Sequence, residues 1–494
     1  MLPRWLSENL CSLLPDGDRL AFSVFFTLNS EGHLVTSDAP VFCRSVIRTY
    51  TRLDYRTVDG ALSQDIGTAC TEVPKDILED LHSLASITAA RRQMRLACGA
   101  VAVPRTQVEF DLDEDGRVEG LTQESGSSVS HHLIEELMVL ANHLVATEMV
   151  QAVGTLTSSG GQEDALPQPL LRRHQETEAK VRKRILDLLP RELKLAAPAE
   201  GDLSELLAWC QQRQHAAAHE AVVSEALMAF KEAEYVVADL TEEELAARAQ
   251  HWALALPSYM HFTSPIRRYA DVLVHRRLAY ILASREGTAA APDPEGQSDS
   301  DSFLLDLKKA VRNCNAKKRR AQDAQLDAMQ FALAEHVHRS GGLTIEDAVI
   351  TRIVLPGQDA KESADSNQPK RRKGQRKALK EALEIYVPLA KCVRSVSLES
   401  LNLELVPPST GEAHAEASKS TAEVDKRSIR VRVRDSDSIR DLQTLIPISV
   451  RLVTSQEQDV EGRIPRSWTL RFPWANAPAQ PAMPQGPVTP DENK

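Results

Sequence analysis

Two adjacent arginines, Arg267 and Arg268, lie where the sequence predicts the start of a helix. Ser264 is a residue type that caps helices, and Pro265 suits the first helical position. The apolar residues expected on one face of this helix are Ala270, Val274, Leu278 and Ile281. Cations in a first helical turn oppose the helix dipole and cost about 0.3 to 1 kcal/mol each. A bound phosphate would offset that cost, because backbone N–H groups and a guanidinium fork both favour an anion.

Carboxylates elsewhere in the chain give a second interpretation of the same two arginines. A structural network of ion pairs would satisfy both guanidinium groups without any ligand. The residue types and their spacing favour neither interpretation over the other.

The segment around these arginines reads His-Phe-Thr-Ser-Pro-Ile-Arg-Arg-Tyr-Ala-Asp, from His261 to Asp271. It resembles, almost residue for residue, a motif near the active site of the RNase II/RNB family of 3′-to-5′ exoribonucleases. Further matches follow in the family's order over about residues 1–340. They include Met1–Leu13, Arg44–Ile47 with Leu53–Tyr55, His132–Asn142, Leu170–His174 and Cys314–Asn315.

The resemblance implies roles for individual residues. Arg267 matches the arginine that contacts the scissile phosphate and assists catalysis. Tyr55 and Glu135 match a tyrosine and a glutamate that hydrogen-bond near the ribose and favour RNA over DNA. The remaining RNA-binding residues expected from the motif are Ser264, Arg268 and Tyr269. Helical spacing is compatible with the role of Glu135, because Glu135, Met138 and Asn142 fall along one stripe.

Mg²⁺ is the cofactor that the resemblance implies, since the family's hydrolysis resembles two-metal catalysis by an aspartate cluster. In the family this cluster precedes the segment that matches Met1–Leu13. We therefore expect no metal ligand in this chain, and an incomplete record of a longer enzyme is the favoured explanation. A catalytically inactive RNA-binding protein, or a modulator of a partner, is the alternative function.

Other candidate sites are weaker. Asp111–Gly116 begins like a calcium loop, but Thr122 stands where that loop needs glutamate, so a β-turn is expected. The histidines His131, His132 and His174 have no second ligand at helical spacing and are assigned no metal. The basic run Lys370–Lys377 fits an exposed insert better than an RNA-gripping loop or a nuclear address, although these alternatives stay open.

Bulk composition limits the kind of nucleic-acid site that is possible. The 494 residues carry a formal net charge of −11, so an RNA site must be a local channel rather than the whole surface. The seven cysteines show no CxxC spacing, which favours free thiols in a reducing compartment. No apolar run reaches the roughly 18 residues of a membrane span, so no membrane association is expected.

The order of strand and helix patterns predicts an α+β fold. The resemblance implies the carboxy-terminal part of an RNB catalytic domain, followed by an OB-fold barrel. Alternating strands are expected over residues 20–60, and amphipathic helices dominate from Ile134 to about 340. The barrel is expected over 341–460 and a disordered tail over 461–494. Polar inserts are expected near 287–302, 359–380 and 407–426.

Within the family, His251–His261 most resembles the eukaryotic branch that acts in the cytoplasm, independently of the exosome, on oligouridylated RNA. The expected partner is therefore single-stranded RNA, with oligouridylate preferred and no exosome association. The expected activity is metal-dependent hydrolysis from the 3′ end that releases nucleoside 5′-monophosphates.

Overall fold

The structure of the chain is a computed structural model. It describes residues 2–63, 73–102, 106–125, 128–158, 169–198, 203–214, 216–237, 249–285, 300–355, 381–406, 428–434, 436, 438–454 and 467–475. The predicted inserts at 359–380 and 407–426 lie outside the described residues.

Helices and strands alternate in the first part of the chain, and strands dominate the last part. The helices are α1 (Tyr55–Leu62), α2 (Lys75–Ala97), α3 (Val129–Ser158), α4 (Glu178–Leu188), α5 (Arg191–Ala196), α6 (Leu203–Arg213), α7 (Ala216–Ala229), α8 (Tyr269–Arg285) and α9 (Ser300–Arg339). The strands of the first part are β1 (Asp18–Phe25), β2 (Val41–Arg48), β3 (Thr106–Leu112), β4 (Val118–Ser125), β5 (Leu170–Arg173) and β6 (Glu234–Val237). The strands of the last part are β7 (Leu343–Val354), β8 (Ala382–Val387), β9 (Cys392–Ser397), β10 (Leu403–Leu405), β11 (Ser428–Val433), β12 (Ile439–Gln443), β13 (Pro447–Thr454) and β14 (Trp468–Arg471).

The long helix α3 runs through the centre of the first part. Its start is capped by Ser128, whose Oγ accepts a hydrogen bond from the backbone N–H of His131 at 3.4 Å. Val145, Ala146 and Met149 on α3 pack in one core with the apolar face of α8. All four residues predicted for the α8 face are buried, and strands β1 and β2 pair antiparallel beside this core.

The last part forms a barrel-like sheet, as the sequence predicts. Five antiparallel strands lie in the order β14-β13-β7-β8-β9, and β10-β11-β12 form a second antiparallel sheet. Both sheets contribute to one hydrophobic core. Val349, Tyr386 and Leu445 extend from this β unit into the core of α4, α6 and α7, so the barrel is packed against the helical body.

Several predicted boundaries are wrong. The strands expected up to residue 60 end at Arg48, and helix α1 begins at Tyr55. Strand β14 pairs with β13 beyond the expected barrel end at 460, because Trp468 and Leu470 alternate into the barrel core. Helix α9 begins at Ser300, inside the predicted 287–302 insert, and its Leu307 and Val311 pack in the core beneath α3 and α8. The rest of that insert, 287–299, lies outside the described residues, as do 461–466 and 476–494 of the predicted tail.

The suspected calcium loop is a hairpin turn between β3 and β4, as predicted. Asp113 Oδ1 accepts hydrogen bonds from the backbone N–H groups of Asp115 at 3.0 Å and Arg117 at 2.8 Å. Gly116 has a φ of +74°, which favours glycine at that position of the turn. A search of the described helices for one long and apolar enough to cross a membrane found none.

Candidate nucleic-acid interface

The two motif arginines lie in a turn that precedes helix α8. The carbonyl of Ser264 accepts hydrogen bonds from the backbone N–H groups of Arg267 at 3.3 Å and Arg268 at 3.1 Å. The helix begins at Tyr269, so the predicted helix start at Pro265 and the capping role of Ser264 are wrong. The physical reason is a hydrogen bond from the Ser264 backbone N–H to Asp271 Oδ1 at 2.7 Å. Because it joins Ser264 to the first turn of α8, residues 264–268 form a separate turn before the helix.

Asp271 also distinguishes the two arginines. Arg268 donates from Nε to Asp271 Oδ2 and from Nη2 to Oδ1, each at 2.8 Å, and the Asp271 side chain is fully buried. The ion-pair interpretation therefore fits Arg268. Asp271 also lies in the first turn of α8, where the helix dipole favours a negative charge.

Arg267 differs from its neighbour. Its side chain is exposed, and within the described part of the chain its guanidinium makes no hydrogen bond or ion pair. Tyr269, two residues later, is 57% exposed. Arg268 therefore has a structural role in this turn, whereas Arg267 is exposed to solvent with its hydrogen-bond donors available.

Helix α3 fixes the position of this turn. Buried Asn142 donates from Nδ2 to the Tyr259 hydroxyl at 3.0 Å, and its Oδ1 accepts the backbone N–H groups of Phe262 at 2.8 Å and Thr263 at 3.2 Å. His275 Nε2 donates to the Phe262 carbonyl at 2.8 Å from the opposite side. The helical spacing predicted Asn142 on the same stripe as Glu135. Its hydrogen bonds to the motif backbone were not predicted.

A positively charged layer lies beneath the turn. Arg172 is 5% exposed, its guanidinium carbon lies 4.5 Å above the Tyr235 ring, and its Nη1 has no partner among the described residues. Tyr235 in turn hydrogen-bonds through its hydroxyl to His261 Nδ1 at 2.7 Å. Burial, helped by the charges of Arg268 and Arg172, lowers the pKa of His261 to about 2.

The same layer extends to helix α9 and to His251. Burial and the nearby Arg172 lower the pKa of Lys318, and burial lowers the pKa of His251 to about 3. Both His251 and His261 are thus neutral at physiological pH. The only sequence signal for Arg172 was its place in the Leu170–His174 match, which assigned it no role.

Tyr55 lies at the start of α1 and against the start of α3. Asp54 caps α1, accepting the Thr57 backbone N–H at 2.8 Å. The Tyr55 ring stacks on His131 at a centroid distance of 3.8 Å, and its side chain is 45% exposed. Ser130 ties the two helices together, because its backbone N–H donates to Asp59 Oδ1 at 2.9 Å.

Glu135 lies one turn after His131 on α3, close to Tyr55. Its side chain is 47% exposed, and its Oε2 lies 3.5 Å from Arg92 Nη1 of helix α2. Glu135 and Asn142 are seven residues apart on one face, a rise of about 10 Å. Helix α3 therefore carries the predicted ribose-contacting residue and the anchor of the arginine turn on the same face.

The described residues do not fit a metal site. No group of three or more His, Cys, Asp or Glu side chains in the described part of the chain is arranged to hold a metal ion. Asp271 is fully engaged by Arg268 and Ser264, and Glu136 by Arg95.

The geometry agrees with the family match. A model of the RNB domain matches residues 1–284, which is more than half of the chain. The chain belongs to the RNB family. Relatives in this family are named as exonucleases or as ribonuclease R, and one of them is named as inactive.

Three relatives show the range of similarity within the RNB family. DIS3-like exonuclease 2 of Caenorhabditis elegans is 28% identical over 71% of this chain and 39% of its own length. Ribonuclease R of Escherichia coli is 31% identical over 67% of this chain and 37% of its own length. The "Inactive exonuclease DIS3L2" of Arabidopsis thaliana is 29% identical over 58% of this chain and 26% of its own length. The chain thus spans well under half the length of these relatives.

Among solved structures, Mycoplasma genitalium RNase R in complex with ribose-methylated single-stranded RNA shares the fold. The TM-score is 0.64 at 17% sequence identity, and the match covers 95% of this chain and 60% of that chain. This likeness confirms the α+β fold with its barrel-like sheet.

Proposed function

We propose that this chain binds the 3′ end of single-stranded RNA and forms the phosphate- and ribose-contacting part of a 3′-to-5′ exoribonuclease. The observation that carries the proposal is the contrast between the two motif arginines. Arg268 is held by buried Asp271, whereas Arg267 is exposed with no partner among the described residues. A planar guanidinium in that state is well suited to contact a phosphate with two donors.

The proposed role of Arg267 is to stabilise negative charge that develops on the phosphate during hydrolysis. Such stabilisation is effective when the donor is held in place before the reaction. Asn142 and Asp271 provide this positioning, because they accept the backbone N–H groups of the residues just before Pro265, from Phe262 to Ser264. Arg172 and Lys318 lie behind the turn, and their positive charge favours an anion at this face despite the net charge of −11.

The proposed ribose contacts are Tyr55 and Glu135. Both are partly exposed near the start of α3, and a carboxylate accepts hydrogen bonds from a 2′-hydroxyl that DNA lacks. Ser264 and Tyr269 are proposed to line the same path, and Arg268 is proposed to support RNA binding by holding the turn through its pair with Asp271. We also propose that the chain consists of an RNB portion and a barrel, and that the barrel binds the incoming RNA.

Hydrolysis to nucleoside 5′-monophosphates by Mg²⁺ is proposed for the complete catalytic site, with metal ligands from outside the described residues. Preference for oligouridylated RNA, a cytoplasmic location and independence from the exosome follow the resemblance of His251–His261 and are proposed on that ground.

An RNA-binding protein that does not cut is a second candidate function. Two observations favour it: a relative of 29% identity is an inactive exonuclease, and the described residues hold no metal-binding cluster. This candidate keeps the same phosphate and ribose contacts and differs only in the absence of hydrolysis.

One experiment tests both candidates. The purified chain is incubated in Mg²⁺ with oligouridylate labelled at its 3′-terminal nucleotide, and with the same RNA carrying a 3′-phosphate. Release of labelled mononucleotide that Arg267→Ala abolishes supports the exonuclease. Binding that favours the 3′-hydroxyl RNA without release supports the RNA contacts that both candidates share and shows that this chain alone does not cut. Equal affinity for DNA and RNA with no dependence on Arg267 refutes both candidates.

A further inference from the structure

Glu135 has a cationic neighbour that the sequence did not predict. Arg92 on α2 places its Nη1 3.5 Å from Glu135 Oε2 and also 3.5 Å from Glu136 Oε1. The Arg92 side chain is 19% exposed, against 47% for Glu135. Arg92 therefore lies between the two adjacent carboxylates of α3, beneath the one that faces solvent.

Glu136 is already satisfied by another arginine. Arg95 donates to Glu136 from Nε at 3.1 Å and from Nη2 at 2.5 Å, and the Glu136 side chain is fully buried. This bidentate pair needs no further cation to balance its charge. The charge of Arg92 is consequently left to act on Glu135.

Helix α2 is held in a fixed rotation that presents Arg92 to α3. Arg91, the preceding residue, donates from Nη1 to the Gly32 carbonyl at 3.1 Å. Gly32 has a φ of +80°, and a Cβ added there would come within 2.7 Å of the Arg91 backbone nitrogen. Arg91 at Gly32 and Arg95 at Glu136 thus bracket Arg92, so its position is determined by contacts on both sides.

A carboxylate at the surface of a helix loses affinity when it must be ordered on binding. Fixing a free glutamate side chain costs up to about 2 kcal/mol in lost rotamer freedom. An arginine below it reduces that cost by restricting the carboxylate before the ligand arrives. Arg92 approaches Oε2, so Oε1 and the exposed lone pairs can still accept a hydroxyl donor.

We propose that Arg92 is a positioning residue for ribose discrimination: it orients the Glu135 carboxylate so that the chain binds RNA more tightly than DNA. The proposal rests on the proposed function of Glu135 and adds to it a residue of α2. Burial and the charge of Arg92 both lower the pKa of His132, which is consistent with Arg92 lying against this face of α3.

The test is a double-mutant cycle on the full chain, read as the ratio of affinities for oligouridylate and the same-length oligodeoxyuridylate. The variants are Arg92→Gln, Glu135→Gln and the double substitution, with Arg92→Lys as the conservative variant. Gln93→Ala, at an exposed neighbouring position of α2, is the matched control. Thermal unfolding of each variant is measured alongside, because a merely structural role would change stability and leave the ratio constant.

We expect Glu135→Gln to lower the RNA-to-DNA ratio about tenfold, the loss of one charge-assisted hydrogen bond. Arg92→Gln lowers it by a smaller factor, Arg92→Lys lies in between, and the double variant equals Glu135→Gln. If Glu135→Gln lowers the ratio and both Arg92 variants keep the wild-type value, the inference about Arg92 is overturned while the proposed function stands. If the wild type shows no RNA preference, or Glu135→Gln leaves the ratio unchanged, the ribose role of Glu135 fails and the inference fails with it.

Discussion

Arg268 contacts both carboxylate oxygens of Asp271 at 2.8 Å, while Arg267, the adjacent residue, points to solvent. The two side chains are chemically identical, and the turn gives them different surroundings. Breaking the Arg268–Asp271 pair should therefore act mainly on stability, and substituting Arg267 should act mainly on RNA binding.

Asp271→Asn should destabilise the fold, because it leaves Arg268 without its counter-ion and weakens the acceptor for Ser264. Removing one partner of a buried ion pair costs about 3 kcal/mol or more. Arg267→Ala should change the free energy of unfolding by less than about 0.5 kcal/mol, as exposed substitutions usually do. Urea denaturation followed by circular dichroism measures both, and equal effects would show that the two arginines are not distinguished in this way.

Asn142→Ala should lower both stability and RNA affinity, since three hydrogen bonds between α3 and the motif are lost. Leaving the buried backbone donors of Phe262 and Thr263 without an acceptor costs about 2 to 4 kcal/mol in total. Leu195→Ala, at an exposed position of α5 outside the site, is the control. An Asn142→Ala protein of wild-type stability that retains full RNA affinity would show that the helix does not position the turn.

Acid should destabilise the protein partly through His261. Burial, with the charges of Arg268 and Arg172, lowers its folded-state pKa to about 2, whereas the unfolded chain has the ordinary value near 6.5. Between these values the unfolded state binds more protons, so the stability present above pH 6.5 is lost as the pH falls. For each such histidine, the free energy of unfolding should fall by about 1.4 kcal/mol for each pH unit below about 6.

His261→Asn should flatten this acid dependence, because an amide does not titrate and can still accept from the Tyr235 hydroxyl. The free energy of unfolding is measured by urea denaturation from pH 7.5 to pH 4. The value at pH 7.5, where the histidine is neutral in both states, is the reference for each protein. An unchanged slope in the variant would contradict a buried neutral His261.

Much of the fold could be predicted because it depends on periodic patterns. The apolar face of α8 and the strands near the start of the chain were predicted from residue spacing, and a barrel was expected over 341–460. Strand β14 was missed because its four residues, Trp468–Arg471, are short and lie among polar and proline-rich segments. Pairing with β13 and burial of Trp468, neither visible in the local sequence, place it in the sheet.

The site was predicted only as a set of residues. Which of the two arginines is free depends on Asp271 folding back onto Ser264, a contact that moves the helix start from Pro265 to Tyr269. Arg172 and Arg92 enter the site from other elements, and no spacing rule relates them to the motif. The sequence therefore indicated the residues of a phosphate- and ribose-binding site. Tertiary contacts determine which of their side chains are available to bind a ligand.

The salt dependence of RNA affinity tests the phosphate contact of Arg267 most directly. Each phosphate contact on a single strand contributes about −0.7 to the slope of log affinity against log salt concentration. We predict that Arg267→Ala weakens binding of single-stranded oligouridylate and reduces the magnitude of this slope by about 0.7. Arg117→Ala, at the exposed β3–β4 turn, should leave affinity and slope unchanged. An Arg267→Ala protein with wild-type affinity and slope would contradict the account.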